Sequence, residues 1–179
     1  SNEAIQDPPT VVFLSTPGNN RAGTVSGSGT TWNATYTMQN SDTEGDVDFY
    51  IDFVDISGNT GTRETSLSSG SEIIFDRDIP ELTTVDISSS NSNPALSKVG
   101  DVITLAIVAD EDIQIPTVTI AGSTVPNSDI TGNDGERNFT ATYAMQSSDN
   151  TAAAIGFTID FSDLANNLGT QKTTILNDG

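Results

Sequence analysis

The residues best suited to chemistry are acids and amides in three short runs: Asp76 and Asp78; Asp110, Glu111 and Asp112; and Asp163, Asn166 and Asn167. Their oxygens are hard ligands, the kind of which Ca²⁺ collects about six to eight. An ion held this way would cross-link segments far apart in sequence. The same residue types also sit at turns, where they bond the local backbone with no metal. No D-x-D-x-D-G calcium loop is present to decide between these readings, and both stand.

Other chemistry is poorly supplied. Histidine and cysteine are both absent, which removes the usual general base and every thiolate. Serine is abundant, but no G-x-S-x-G or S-x-x-K motif accompanies it. The carboxylates fall on turns and polar strand faces rather than in a paired arrangement of the glycosidase kind. The chain is therefore not expected to be an enzyme. Acids outnumber bases 25 to 6, for a net charge of −19. The bases Arg21, Arg63, Arg77, Lys98, Arg137 and Lys172 are scattered singly, so nucleic acid and anionic membranes are not expected partners. No run of 18 apolar residues is present, and no membrane insertion of this segment is expected.

The elements that must position these acids are written twice. Residues 32–42 (W-N-A-T-Y-T-M-Q-N-S-D) return at 139–149 as F-T-A-T-Y-A-M-Q-S-S-D, with seven of eleven positions identical at an offset of 107. Pro9-Thr10-Val11 matches Pro116-Thr117-Val118 at the same offset. Ile51-Asp52-Phe53-Val54-Asp55 matches Ile159-Asp160-Phe161-Ser162-Asp163 at 108, and Asn59-Thr60-Gly61 follows as Asn167-Leu168-Gly169. A period near a hundred residues is that of whole domains rather than of a short solenoid repeat. The domains expected are residues 1–76 and 77–179, joined at Asp76-Arg77-Asp78-Ile79-Pro80. Residues 1–7 resemble 109–115, so the first repeat is expected to begin mid-repeat, without its first two strands.

Periodicity gives strands and no helix. Alternation of Trp32, Ala34, Tyr36 and Met38 with polar residues reads as a half-buried antiparallel strand. Further strands are expected at 10–14, 47–54, 62–66 and 71–75, then at 82–88, 102–109, 117–121, 139–145, 154–161 and 169–176. Residues 17–29 read as a loop with one weak strand, 41–46 and 110–112 as acidic turns, and 55–61 as a tight hairpin loop. Trp32 has the shape of a sugar-stacking platform, but Phe139 at the matching position favours a packing role. About seven short strands with turns every 8–12 residues describe an antiparallel β-sandwich.

P-T-V-T-I-A-G at 116–122, I-D-F-S-D at 159–163, D-L-A-N-N-L-G at 163–169 and the D-R-D-I-P joint resemble tandem bacterial immunoglobulin-like repeats of large extracellular surface adhesins. The resemblance implies an all-β fold of tandem immunoglobulin-like Greek-key sandwiches on the cell surface, with a structural, stalk-like role. In such a sandwich the entering linker and two of the loops share one pole. Asp76, Asp78, Asp110, Glu111, Asp112, Asp163, Asn166 and Asn167 would meet there, and Ca²⁺ would stiffen the joint. Asn2, Glu3, Asp55 and Asn59 are the partial counterpart in the first repeat. The expected partners are neighbouring repeats or identical subunits. A sandwich lacking strands leaves an open edge, which raises head-to-tail assembly by strand exchange. The rival expectation is a module that binds a surface glycan or host surface through pole loops such as 123–138.

Overall fold

The computed structural model describes residues 3–14, 20–149 and 154–176. Asn2, residues 17–19 of the expected loop and residues 150–153 lie outside the described residues. The chain divides into two compact units, Ser1–Arg77 and Asp78–Gly179. The described residues are all-β, with one short 3-10 turn at Asn127–Asp129.

The first unit holds β1 (Thr10–Leu14), β2 (Asn20–Ala22), β3 (Thr24–Ser28), β4 (Thr31–Thr35), β5 (Gly45–Asp46), β6 (Asp48–Asp52) and β7 (Ile74–Phe75). β1 runs antiparallel between β2 and β6, while β3–β4 and β5–β7 form separate two-stranded ribbons. Val11 and Val12 are buried, but Trp32, Ala34, Phe49, Ile51 and Phe53 are only half-buried.

The second unit holds β8 (Leu82–Ser89), β9 (Val102–Ile113), β10 (Thr117–Ile120), β11 (Ser123–Thr124), β12 (Ile130–Thr131), β13 (Glu136–Ala144) and β14 (Phe157–Asp160). They form two antiparallel sheets, ordered β12-β13-β9-β8 and β11-β10-β14. Ile103, Leu105 and Ile107 of β9 share one buried cluster with Val118 and Ile120 of β10 and Ile159 of β14. Two sheets closing on one core make a β-sandwich, and strand alternation fills it from both sides. Val85 and Leu176 exchange backbone hydrogen bonds of 2.9 and 2.8 Å, tying the first strand of the unit to its last described residue.

Several strands differ from the expectation. Residues 110–112 are not a turn but the continuation of β9, because Ala109 and Ile113 are both buried and keep the alternation in phase through the acids. β13 starts at Glu136 and runs to Ala144 against β9, whereas β4 stops at Thr35 and, among the described residues, pairs with β3 alone. Val47 interrupts the expected strand 47–54, its N–H donating to Ile73 O instead. Residues 62–66 and 169–176 make isolated bridges only, at Glu64, Lys172 and Leu176; residues 62–66 and 169–174 are polar or glycine and offer no apolar face to bury. β14 starts at Phe157, the first buried residue after Ala154, Ile155 and Gly156.

Several pairings recur in the two units. Val11 pairs with Ile51 and Val118 with Ile159; Val25 pairs with Ala34 and Ile130 with Ala141. The bridges Ile5–Asp55, Ile51–Glu64 and Val54–Thr60 reappear as Ile113–Asp163, Ile159–Lys172 and Ser162–Leu168.

Candidate metal centre

The tail of β9 and the loop after β14 meet at one pole of the second unit, joined by the Ile113–Asp163 bridge and the Gln114 N–H to Ser162 O bond of 2.9 Å. The pleat of β9 then sorts its acids. Glu111 lies on the same face as Ala109 and Ile113 and is half-buried; Asp110 and Asp112 lie on the other face and are exposed. Glu111 and Asp163 each offer a carboxylate oxygen within 4.8 Å of the other.

Asp110 and Asp112 are engaged elsewhere. Asp110 Oδ1 accepts the Glu81 N–H at 2.9 Å, and Arg137 Nε donates to Asp112 Oδ1 at 2.8 Å. Of the sequence-derived ligand set, therefore, Glu111 and Asp163 come together, and the pleat turns Asp110 and Asp112 away. Asp78 is exposed at the start of this unit, and Asp76 belongs to the first unit.

Asp163 is 1% exposed; Gln114 Nε2 donates to its backbone O at 2.9 Å, and its carboxylate is held within its own loop. Oδ1 accepts the Asn167 N–H at 2.8 Å and Oδ2 accepts Asn167 Nδ2 at 2.7 Å, so one asparagine closes the loop on both carboxylate oxygens. Asn166 takes a left-handed φ of 71°, a conformation asparagine tolerates, and its Oδ1 accepts Gln114 Nε2 at 3.0 Å. Asp55 is clamped in the same way in the first unit, by Asn59 N–H and Nδ2, both at 2.7 Å. The Asn59 side chain and N–H hold the Asp55 pKa below its ordinary value. Turn chemistry accounts for the Asp–Asn spacing in both loops. The capacity for a cation rests on Glu111 beside Asp163.

Two buried acids escaped the sequence reading. Asp42, on the expected acidic turn, has no exposed side-chain surface. It accepts Arg21 Nε at 2.6 Å, the Tyr36 hydroxyl at 2.8 Å and the Gln39 N–H at 2.7 Å. Burial opposes its charge, yet the Gln39 N–H, Tyr36 and Arg21 together keep its pKa below the ordinary value; burial and Asp42 push Tyr36 up. The second unit repeats the corner without the arginine: the Tyr143 hydroxyl and the Gln146 N–H donate to Asp149 at 3.1 and 2.6 Å. Gln39 and Gln146 also donate back to Thr37 O and Ala144 O, at 2.7 and 2.6 Å. The signal was the Y-x-M-Q-x-S-D echo itself. Asp101 is the other case, 6% exposed and held by Lys98 and Asn91, which bring its pKa down to about 2.

The remaining expectations concern surfaces. Residues 123–138 contain β11, the 3-10 turn and β12, so much of this stretch is hydrogen-bonded structure. Trp32 is half-buried and its Nε1 donates to Gly29 O at 3.2 Å. Among the described residues, no helix is long and apolar enough to cross a membrane. No known family, curated protein or solved structure matches the chain.

Proposed function

We propose that the chain is a structural spacer: two repeats of one immunoglobulin-like Greek-key sandwich from an extracellular or cell-surface array of the adhesin or stalk kind. The observation that carries this reading is what the two units have in common. Their shared side-chain chemistry is turn and packing chemistry: the Asp55–Asn59 and Asp163–Asn167 clamps and the Tyr36–Asp42 and Tyr143–Asp149 corners. Even the exposed pair Arg63–Asp52 has its counterpart in Gln171–Asp160. A duplicated binding or catalytic module would keep a ligand-facing group at the same offset. Here the offset preserves groups that hold the backbone.

Ca²⁺ enters this proposal at the pole of the second unit. Glu111 and Asp163 supply the first oxygens there. A thermal melt in Ca²⁺ and in chelator tests the metal. The expected result is a Ca²⁺-specific rise in melting temperature that Glu111→Gln removes, while equal melts reduce these acids to solvation and turn chemistry. A glycan array tests the role: specific hits abolished by substitutions in 123–138 would replace the spacer by a carbohydrate-binding module.

A further inference from the structure

The pairings of β8 decide where its backbone points. Val85 exchanges both of its hydrogen bonds with Leu176, on the side away from β9. Successive residues of an antiparallel strand turn their N–H and C=O to opposite sides, so Ile87 and Ser89 face the same way as Val85. The even positions face β9, as the Ser90 N–H shows by donating to Val102 O at 2.9 Å. The outer edge of β8 therefore carries the backbone groups of Val85, Ile87 and Ser89.

Leu176 serves the first of these residues. In its antiparallel register the residue due opposite Ile87 is Thr174, but the chain there belongs to the other sheet, where Lys172 bridges Ile159. Among the described residues, no strand pairs with Ile87 on its outer side. Its N–H is taken instead by the preceding side chain, donating to Asp86 Oδ1 at 2.9 Å. Asp86 is exposed and stands opposite Ala106 in the β8–β9 ladder. The residues around it on that face, Thr84, Ser88, Thr104 and Val108, carry no charge.

We propose that Asp86 is an edge guard: by holding the Ile87 N–H it keeps β8 from pairing edge to edge with β8 of a second copy of this chain. An outward strand edge adds another strand through its free donors and acceptors. The pairing that Asp86 closes off is two-fold and antiparallel, with Ile87 of each copy opposite Ser89 of the other. This register leaves the Val85–Leu176 clasp intact and uses only the half of the edge beyond it. It needs the Ile87 N–H of both copies, and the guard occupies both. The guard acts whatever role the chain has, so this proposal and the spacer reading fail separately.

The test measures self-association of the whole chain by sedimentation equilibrium. Asp86→Ala frees the Ile87 N–H. Asp86→Val frees it too, with a β-branched residue suited to a strand, and covers the case where alanine loosens β8. Both variants should dimerise about tenfold or more tighter than the parent. In those dimers amide exchange should slow at Ile87 and Ser89, whose donors then cross to the second copy. Asp86→Asn keeps an acceptor oxygen beside the Ile87 N–H, so its association should stay within about twofold of the parent. Alanine and valine variants no more associated than the parent at about 1 mM chain would overturn the proposal. Dimers in which Ile87 and Ser89 exchange as fast as in the monomer would place the contact elsewhere and overturn it too. An asparagine variant as associated as the alanine one would also sink it, because repulsion between carboxylates, not capture of the donor, would then keep the copies apart.

Discussion

Adding one methyl group at Gly169 should cost the second unit measurable stability, for a reason visible in both units. A Cβ at Gly169 would be driven into the ring edge of Phe161, nearest Cε2 and Cζ and 2.7 Å from Cδ2. Ordinary carbon contact is about 3.5–4.0 Å, so the ring has to retreat by roughly 1.5 Å. Phe161 is 5% exposed and belongs to the core, where overpacking of this size costs about 1–3 kcal/mol. Against that, replacing glycine by alanine where φ is not left-handed removes unfolded-state freedom worth about 0.4–1 kcal/mol. The net expectation is a loss of about 1–2 kcal/mol. At Gly61 the same methyl meets Phe53 in the same geometry, but Phe53 is half-buried and its ring can swing outward. There the two effects nearly cancel, leaving about 0–1 kcal/mol. Urea titration followed by far-UV circular dichroism and by Trp32 fluorescence separates the units, since the tryptophan belongs to the first. The double variant Phe161→Leu with Gly169→Ala should cost about 1 kcal/mol less than the sum of the singles. Strict additivity, or a Gly169→Ala chain more stable than the parent, would refute the ring-on-glycine packing.

Three further outcomes follow from the same structure. Asp101 has a folded pKa of about 2 against an ordinary 3.8, so its stabilising share is present above pH 4 and is lost as pH falls towards 2; Asp101→Asn should flatten stability across that window in acid-dependent urea titrations. Tyr36→Phe should destabilise the first unit more than Tyr143→Phe does the second, because Asp42 is fully buried and also bonded to Arg21, while Tyr143 reaches Asp149 at 3.1 Å without an arginine. Comparing urea midpoints of the two variants checks this ordering. Ile107→Ala empties a fully enclosed site between β8 and β13 and should lower second-unit stability by about 2–5 kcal/mol in the same titration.

What the sequence makes legible is set by how local the cause is. The all-β character follows from period-two alternation and dense turn residues, and β1 and β6 are readable from five residues each. The strand limits are less readable because a partner decides them. Thr140–Ala144 stays in strand since β9 lies along it, while among the described residues no strand pairs with the equivalent residues after Thr35. The acids of β9 look like a turn in composition, and only the burial of Ile113 beyond them reveals a strand. At the candidate centre, the resemblance groups Glu111 and Asp163 at one pole of the sandwich, and their carboxylate oxygens lie within 4.8 Å of each other. It cannot separate them from Asp110 and Asp112, whose direction depends on the phase of the pleat. Asp42 is the instructive miss: its neighbours in sequence are polar, and its burial comes from Arg21 and Tyr36 closing over it.

The most direct test of the spacer proposal is to pull the chain by its two ends in a single-molecule force experiment. Val85 and Leu176 clasp the first strand of the second unit to its last described residue, so stretching must break those bonds together with the β8–β9 ladder. The account predicts that the second unit unfolds in one discrete step, releasing about 350 Å of contour at roughly 3.3–3.6 Å per residue, and refolds when the force is relaxed. Gradual extension with no step, or a step whose length does not match one unit, would contradict it.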